Sequence, residues 1–487
     1  MLSKQDWKVA IRPVGIPLIG EGIAMLACIV PALQYNDGTM LSLVVSAFVT
    51  ILAGFLLLFL LPRRSDSTDN RVSYITVVIV WLVLVAFGML PFLTTRSASS
   101  VTNAFFESMS GFTSTGATIF SDVEQLPQSV LFWRSLSAWI GGFGIILLVL
   151  AIVPSLGINK HSLYTAEASG ADNTGKTSTS MRTVVRRTLS VYIVLTLFFI
   201  ALLFFSGMTI WEAVNVTFTN ISTCGFSIYG DSIARFTSQQ QYIIATSMFV
   251  GGINFALLYN FLTFRWRKIR HKLDQFGFYL FVIVFSIAFV VIALHLYNGM
   301  QWQDAARNGV VQTVSVVTTT GSVVDDTNLW WTPVVFLFLV LCVCGGMAGS
   351  TTGGVKIMRV LILFRNVRNT LVNRLHPNAV NPVRLNGVPV SHEIITNVMV
   401  IFIVYAATML VGLLMLMVCG VGATESLGAV FGCITSYGPG LGECGGFGSY
   451  AAFPMAAKWL CSLLMLLGRL ECLTVFILFL PGFWRNK

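Results

Sequence analysis

Ser222-Thr223-Cys224-Gly225-Phe226-Ser227 is a short polar turn centred on a glycine, set among some of the most apolar residues of the chain. Related turns occur three more times, at Ser114-Thr115-Gly116-Ala117, Thr319-Thr320-Gly321-Ser322 and Ser436-Tyr437-Gly438-Pro439. A unit that recurs at roughly hundred-residue spacing argues for copies around a common axis. Each turn follows a short apolar run, at about 102–113, 211–222, 305–318 and 425–435. Such runs are too short for a bilayer core, which takes about 20 residues of helix, and suit re-entrant half-helices.

Longer apolar runs flank each half-helix: about 74–94 and 131–154, 188–207 and 240–263, 276–298 and 332–362, 393–420 and 456–481. Two more, about 14–35 and 39–62, meet at Tyr35-Asn36-Asp37-Gly38 and stand outside the repeat. The expected fold is an all-α polytopic membrane protein. Four helix–half-helix–helix repeats surround a central pore, and two extra transmembrane helices lead the chain. The divisions read as 1–72 for the leading pair, 73–157 for repeat one, 158–187 for a cytoplasmic loop, 188–272, 273–374 and 375–487 for the other repeats. The register is checkable. Glu212 lies 13 residues before Gly225 and Glu425 lies 13 before Gly438, with Phe218 and Phe431 each seven before. This match selects Gly438 in Gly438-Pro439-Gly440. One Gly/Thr/Ser cluster would read as close helix packing; four, each behind a half-helix, read as a filter.

Hydrophobic residues make up 55% of the chain and charged residues 10%, against about a quarter charged in soluble chains. The net charge of +10 raises nucleic-acid binding as a class, but the basic residues follow topology instead. With a cytoplasmic N-terminus, the inside segments hold Arg63, Arg64, Arg71, Lys160, Lys176, Arg182, Arg186, Arg187, Arg265 to Lys272 and Lys356 to Arg384. The outside holds only Arg96, Arg134, Arg235, Arg307 and Lys458. That is a positive-inside bias. Glu107, Asp122, Glu124, Glu212, Asp231, Asp304, Asp325, Asp326, Glu425 and Glu443 fall outside and read as an acidic mouth that concentrates cations. The basic, uncleaved-looking start reads as a retained first helix. Scattered cysteines read as small buried hydrophobes, with Cys433 and Cys444 the one pair placed to join. No Cys/His spacing resembles a metal site.

An ion entering a membrane must replace its hydration shell, and backbone carbonyls around a pore do so without burying a full charge. Turning successive carbonyls toward one axis needs unusual backbone angles that glycine tolerates. The expected ion-binding residues are Ser114, Thr115 and Gly116; Thr223, Cys224 and Gly225; Thr319, Thr320 and Gly321; and Ser436, Tyr437 and Gly438. The half-helices would aim their negative C-terminal ends at the ion. Glycine in all four turns argues for potassium over sodium. Within 332–362, Gly345, Gly346, Gly349, Ser350, Thr351, Thr352, Gly353 and Gly354 read as an irregular loop beneath the filter. Such backbone at membrane depth must be buried or line water. A small-residue packing face is the other reading. Arg469, inside the last apolar run, must face a cavity or a partner: either the pore below the filter, or Glu471 or half-helix carbonyls. Asn254 lines the same cavity or makes a helix–helix hydrogen bond.

The turns, Trp139-Ile140-Gly141-Gly142-Phe143-Gly144, Gly251-Gly252-Ile253-Asn254-Phe255, Gly345 through Lys356 and Gly468-Arg469 together resemble the Trk/Ktr/HKT potassium transporter superfamily, most of all its bacterial Trk-type membrane subunit. The likeness covers essentially the whole chain. Cys224 and Ser436-Tyr437 depart from it, an amide and an aliphatic residue being expected in the fourth turn. The resemblance implies potassium uptake across a bacterial inner membrane through a selective, channel-like pore, with both termini cytoplasmic. It implies that the 345–354 loop obstructs the pore and moves on opening, that Arg469 faces the pore, and that serine in the first turn goes with sodium permeability. It implies a homodimer with one pore per chain, and a cytoplasmic ring of nucleotide-binding RCK domains of the TrkA type. No Walker motif or large soluble region is present, so no nucleotide is expected on this chain and potassium is the one bound group. The basic segments from Arg265 to Lys272 and from Lys356 to Arg374 are candidate docking surfaces or lipid anchors. The competing class is a potassium–proton or potassium–sodium symporter, which would usually show inverted repeats; here all units run the same way. A scaffold leaves the four turns unexplained, and no catalytic constellation supports an enzyme.

Overall fold

The computed structural model describes residues 4–61, 70–152, 181–265, 273–376 and 381–484. Most of the expected 158–187 loop, including Lys160 and Lys176, lies outside them, as do Arg63, Arg64, Arg267, Lys268, Arg270 and Lys272. Among the described residues the chain is helical apart from turns and one small hairpin. That hairpin pairs Arg384 with Pro389 and Leu385 with Val388 across Asn386 and Gly387, both at positive φ, as an Asn-Gly turn favours.

The leading helices, Arg12–Tyr35 and Met40–Leu60, pack through glycine. A side chain on Gly15 would meet the Gly54 carbonyl at 2.7 Å, and one on Gly54 the Gly15 carbonyl at 2.8 Å. Lipid offers no hydrophobic drive between helices, so close backbone approach matters. At the turn between them, Asp37 accepts a hydrogen bond from the Ser129 amide at 3.0 Å, joining the pair to the first repeat.

The half-helices are Val101–Phe112, Ile210–Ile221, Trp302–Val317 and Ala423–Ile434. Side-chain caps fix two of their starts. Ser100 accepts from the Asn103 amide, and Thr209 forms a reciprocal capping box with Glu212, satisfying amides that the first turn leaves free. Long helices precede them: Tyr74–Thr94, Thr183–Phe205, Leu273–Tyr297 and His392–Val418.

The helices that follow differ from expectation. The sequence reads as single spans over 240–263 and 456–481. Instead Ser238–Gly251 turns by 107° into Phe255–Leu262, and Met455–Arg469 by 106° into Leu473–Phe479. In the first break the Asn254 side chain accepts from the Ala256 and Leu257 amides at 2.9 and 3.1 Å, so it caps a new helix. In the second, Glu471 is left-handed at φ 54°. In the third repeat Thr332–Cys344 stops at Gly345, and Ile357–Leu375 resumes after the loop. Gln128–Ile152 of the first repeat runs unbroken for 25 residues.

Two large clusters dominate the interior. One buried cluster joins repeats one and four through Phe106, Trp133, Tyr450 and Leu464; another joins repeats two and three through Met248, Tyr279, Val316 and Phe338. Phe48, Phe205, Phe285 and Ile403 stay exposed on the long helices, the arrangement expected where the surrounding solvent is lipid.

Candidate functional site

The four turns share one backbone conformation. Ser114, Thr223, Thr319 and Ser436 have φ between 49 and 57°, and the glycine two residues later has φ between 72 and 91°. The residue between them closes the half-helix in the same way each time. Its amide donates five residues back: Thr115 to Ser110, Cys224 to Thr219, Thr320 to Ser315, and Tyr437 to Gly432, at 2.8–2.9 Å. Glycine is required by space as well as by angle. A Cβ on Gly116 would overlap the Cys224 carbonyl oxygen, one on Gly225 that of Thr320, one on Gly321 that of Tyr437, and one on Gly438 that of Thr115. Each turn touches the next and the fourth returns to the first, so the turns close a ring. All four glycines line one small cavity with Phe226 and Pro439. The negative ends of the four half-helix dipoles converge there, a field that favours a cation.

On the face of the ring that the turns leave toward residues 118–134 and 440–450, expected to be the outer one, side chains lock each seam. Arg134 joins turns one and two. Its guanidinium pairs with Glu107 at 2.8 Å, donates to the Ser227 carbonyl at 2.9 Å and the Thr118 hydroxyl at 3.2 Å, and lies 4.3 Å above the Phe226 ring. Both charges are fully buried. Turns two and three meet where Ser322 donates to the Asn220 side chain at 2.7 Å and the Val323 amide to Ser232 at 3.1 Å. Turns three and four meet where Gln312 donates to the Tyr437 hydroxyl at 3.1 Å. Turns four and one meet at Tyr450.

On the opposite face, expected to be the inner one, residues 345–354 lie directly against the ring. The Gly353 amide donates to the Thr319 hydroxyl at 2.7 Å. Thr351 donates its hydroxyl to the Ile221 carbonyl at 3.1 Å, and the Met347 amide donates to the Gly252 carbonyl at 3.0 Å. Asn254 donates to the Ala348 carbonyl, and the Phe255 amide to that of Gly349 at 3.1 Å. The break in repeat two therefore carries the loop. Arg469 completes the enclosure. It donates to the Thr351 carbonyl at 2.8 Å, and to the Ser114 hydroxyl and the Gly141 carbonyl at 3.2 Å each. Just past the loop, Arg359 pairs with Glu471 at 2.7 Å.

Glycines behind the ring make this closeness possible. A side chain on Gly141 would overlap the Phe112 carbonyl and one on Gly468 that of Ile434, while one on Gly251 would press the Ile221 carbonyl at 3.0 Å. These are the last residues of three half-helices.

The family model for TrkH, described as a cation transport protein, matches residues 42–485. The chain belongs to the TrkH family. It is 32% identical to the Trk system potassium uptake protein TrkH of Salmonella typhimurium over 98% of this chain and 99% of that one. It is 33% identical to the Trk system potassium uptake protein TrkI of Halomonas elongata over 85% and 84%. The crystal structure of the potassium transporter TrkH from Vibrio parahaemolyticus superposes with a TM-score of 0.89 at 30% identity, over 98% of this chain and all of that one. Membership makes this a membrane transport protein rather than an enzyme.

The structure brings all twelve expected ion-binding residues into the ring and sets the 345–354 loop and Arg469 against it. Arg469 makes no pair with Glu471, whose partner is Arg359. Asn254 serves both as a helix cap and as a bridge to the loop. The acidic mouth loses one member, and several others are paired. Glu107 is wholly buried against Arg134, Glu124 and Asp231 both pair with Arg235, and Asp304 pairs with Arg307. Tyr229 donates to Glu212 at 2.8 Å; burial and that carboxylate push the Tyr229 phenol up to about 12. Cys433 and Cys444 are free thiols. Of the seam residues, Glu107 and Arg134 enter the reading of the sequence only as outside charges, and Gln312 and Tyr450 not at all. A signal existed for the first two: each lies within an apolar run, where an ionisable side chain needs a partner.

Proposed function

We propose that the chain takes up potassium across a bacterial inner membrane through a channel-like pore along the axis of the ring. Potassium would be held by carbonyls of the four turns, with hydroxyls of Ser114, Thr223, Thr319 and Ser436 at the inner end. The single observation that carries this reading is the cyclic contact of the four turns, each glycine against the next turn's carbonyl. A ring of carbonyls is the recurring device by which proteins replace a cation's hydration shell. The relatives' names, potassium uptake and potassium transport, point to the same ion.

The loop from Gly345 to Gly354 is the gate in this reading, and Arg469 fixes its closed position through Thr351. Opening would be driven by a cytoplasmic ring of nucleotide-binding RCK domains, with the chain working as a homodimer and both termini cytoplasmic. The Trk system named for the relatives is the support for a partner.

Gly116→Ser tests the filter. Gly116 has no room for a side chain and sits at φ 82°, so serine must displace the Cys224 carbonyl. The expected result is a fall in the potassium-over-sodium permeability ratio of roughly tenfold, as for about 1.4 kcal/mol lost from one ion's stabilisation. A ratio unchanged in a folded, conducting variant would remove the ring from the ion path.

A further inference from the structure

Tyr450 lies on the outer segment of repeat four, and its side chain is fully buried. Its hydroxyl donates to the Gly438 carbonyl at 2.8 Å. Its backbone amide donates to the Thr118 carbonyl at 2.8 Å. One residue thereby holds turn four with its side chain and the exit of turn one with its main chain, at the seam where the ring closes. The ring of Tyr450 is fixed by Phe106 and Phe453, at centroid distances of 5.4 and 5.1 Å. Gly432 lies beneath: a side chain there would meet the Gly438 carbonyl at 2.7 Å and the Tyr450 hydroxyl at 3.1 Å. The Gly438 peptide therefore lies between the half-helix and a clamped phenol. At the other three glycines of the ring, no side-chain donor to the carbonyl is found among the described residues.

We propose that Tyr450 is a specificity-determining residue, which discriminates potassium from smaller alkali cations by fixing the Gly438 peptide. The inference rests on the ring's being the ion path. Where selectivity rests on cavity size, a smaller ion is served only if carbonyls close in on it. The Gly438 carbonyl lies against Gly432 and Tyr450, so the hydrogen bond acts by anchoring the peptide next to the Tyr437 carbonyl, which meets Gly321 in the ring and closes in less when its neighbour is held.

Tyr450→Phe keeps the aromatic packing and removes only the donor. In proteoliposomes, the expected result is conducting protein with a potassium-over-sodium permeability ratio about fivefold lower, the effect of one neutral hydrogen bond. Phe453→Leu loosens the same packing but keeps the phenol donor, and should lower the ratio by clearly less than Tyr450→Phe. Equal losses in both variants would make Tyr450 a packing residue and overturn the inference. An unchanged ratio for Tyr450→Phe, with the ratio still altered by Gly116→Ser, would also overturn it while leaving the ion path intact. Indifference to both Tyr450→Phe and Gly116→Ser would remove the ring from the ion path altogether.

Discussion

Above the ring, Arg134 reaches from the first repeat to the second and Gln312 from the third to the fourth; below it, residues 345–354 rest on Thr319, Ile221 and the break at Gly251–Asn254. The outer contacts are made by buried side chains, one of them a salt bridge with no exposed surface. The inner contacts are mostly neutral hydrogen bonds of a glycine-rich backbone. A buried ion pair is costly to break because the remaining charge is left without water. A neutral hydrogen bond contributes about 0.5–1.5 kcal/mol, and little more is lost on breaking it where water or a new partner takes up the freed group. The same ring is thus built rigidly on one side and releasably on the other. In this account selectivity belongs to the outer side and gating to the inner.

Three changes test that division. The largest effect is expected from Arg134→Met, which leaves Glu107 buried without a counter-charge. It should cost about 3–5 kcal/mol of stability, read as a lowered unfolding temperature in detergent, and Glu107→Gln on the same background should recover part of the loss. A variant as stable as the parent would mean that the outer side is no more fixed than the inner. Next comes shortening of Gly349–Gly353, which removes several neutral hydrogen bonds at once. Flux without any partner should rise roughly a hundredfold, about 3 kcal/mol by the same conversion, with the potassium-over-sodium ratio kept. Retained closure would show that the loop is not the gate, and a lost ratio would erase the division between the two sides. The smallest is Arg469→Ala. It removes one charge-assisted bond to Thr351, about 1.5–3 kcal/mol, so basal flux should rise roughly tenfold or more; unchanged flux would take Arg469 out of the closed state.

Most of the ring was legible in the sequence because its requirements are local. A half-helix too short to span, a hydroxyl residue and a glycine two positions on are written consecutively, and the Glu212–Gly225 spacing matched Glu425–Gly438 without any structure. The bends were less legible. Gly251-Gly252-Ile253-Asn254 lies inside a continuous apolar run, and hydropathy carries no direction; only the Asn254 cap marks a restart. The seams were least legible, since they join residues far apart in the chain. Glu107 reads as a mouth charge and Arg134 as an outside base, although each lies within an apolar segment and the two neutralise each other. Tyr450 offers no local signal, because its partner is a main-chain oxygen.

The most direct test is potassium flux through the purified loop-shortened chain in liposomes, under a potassium gradient with no proton or sodium gradient. The expected flux dissipates the gradient unaided, blocked by no missing co-ion and reduced when sodium replaces potassium. Flux that appears only when a second ion gradient is imposed would contradict a continuous path along the ring's axis and leave coupled symport as the mechanism.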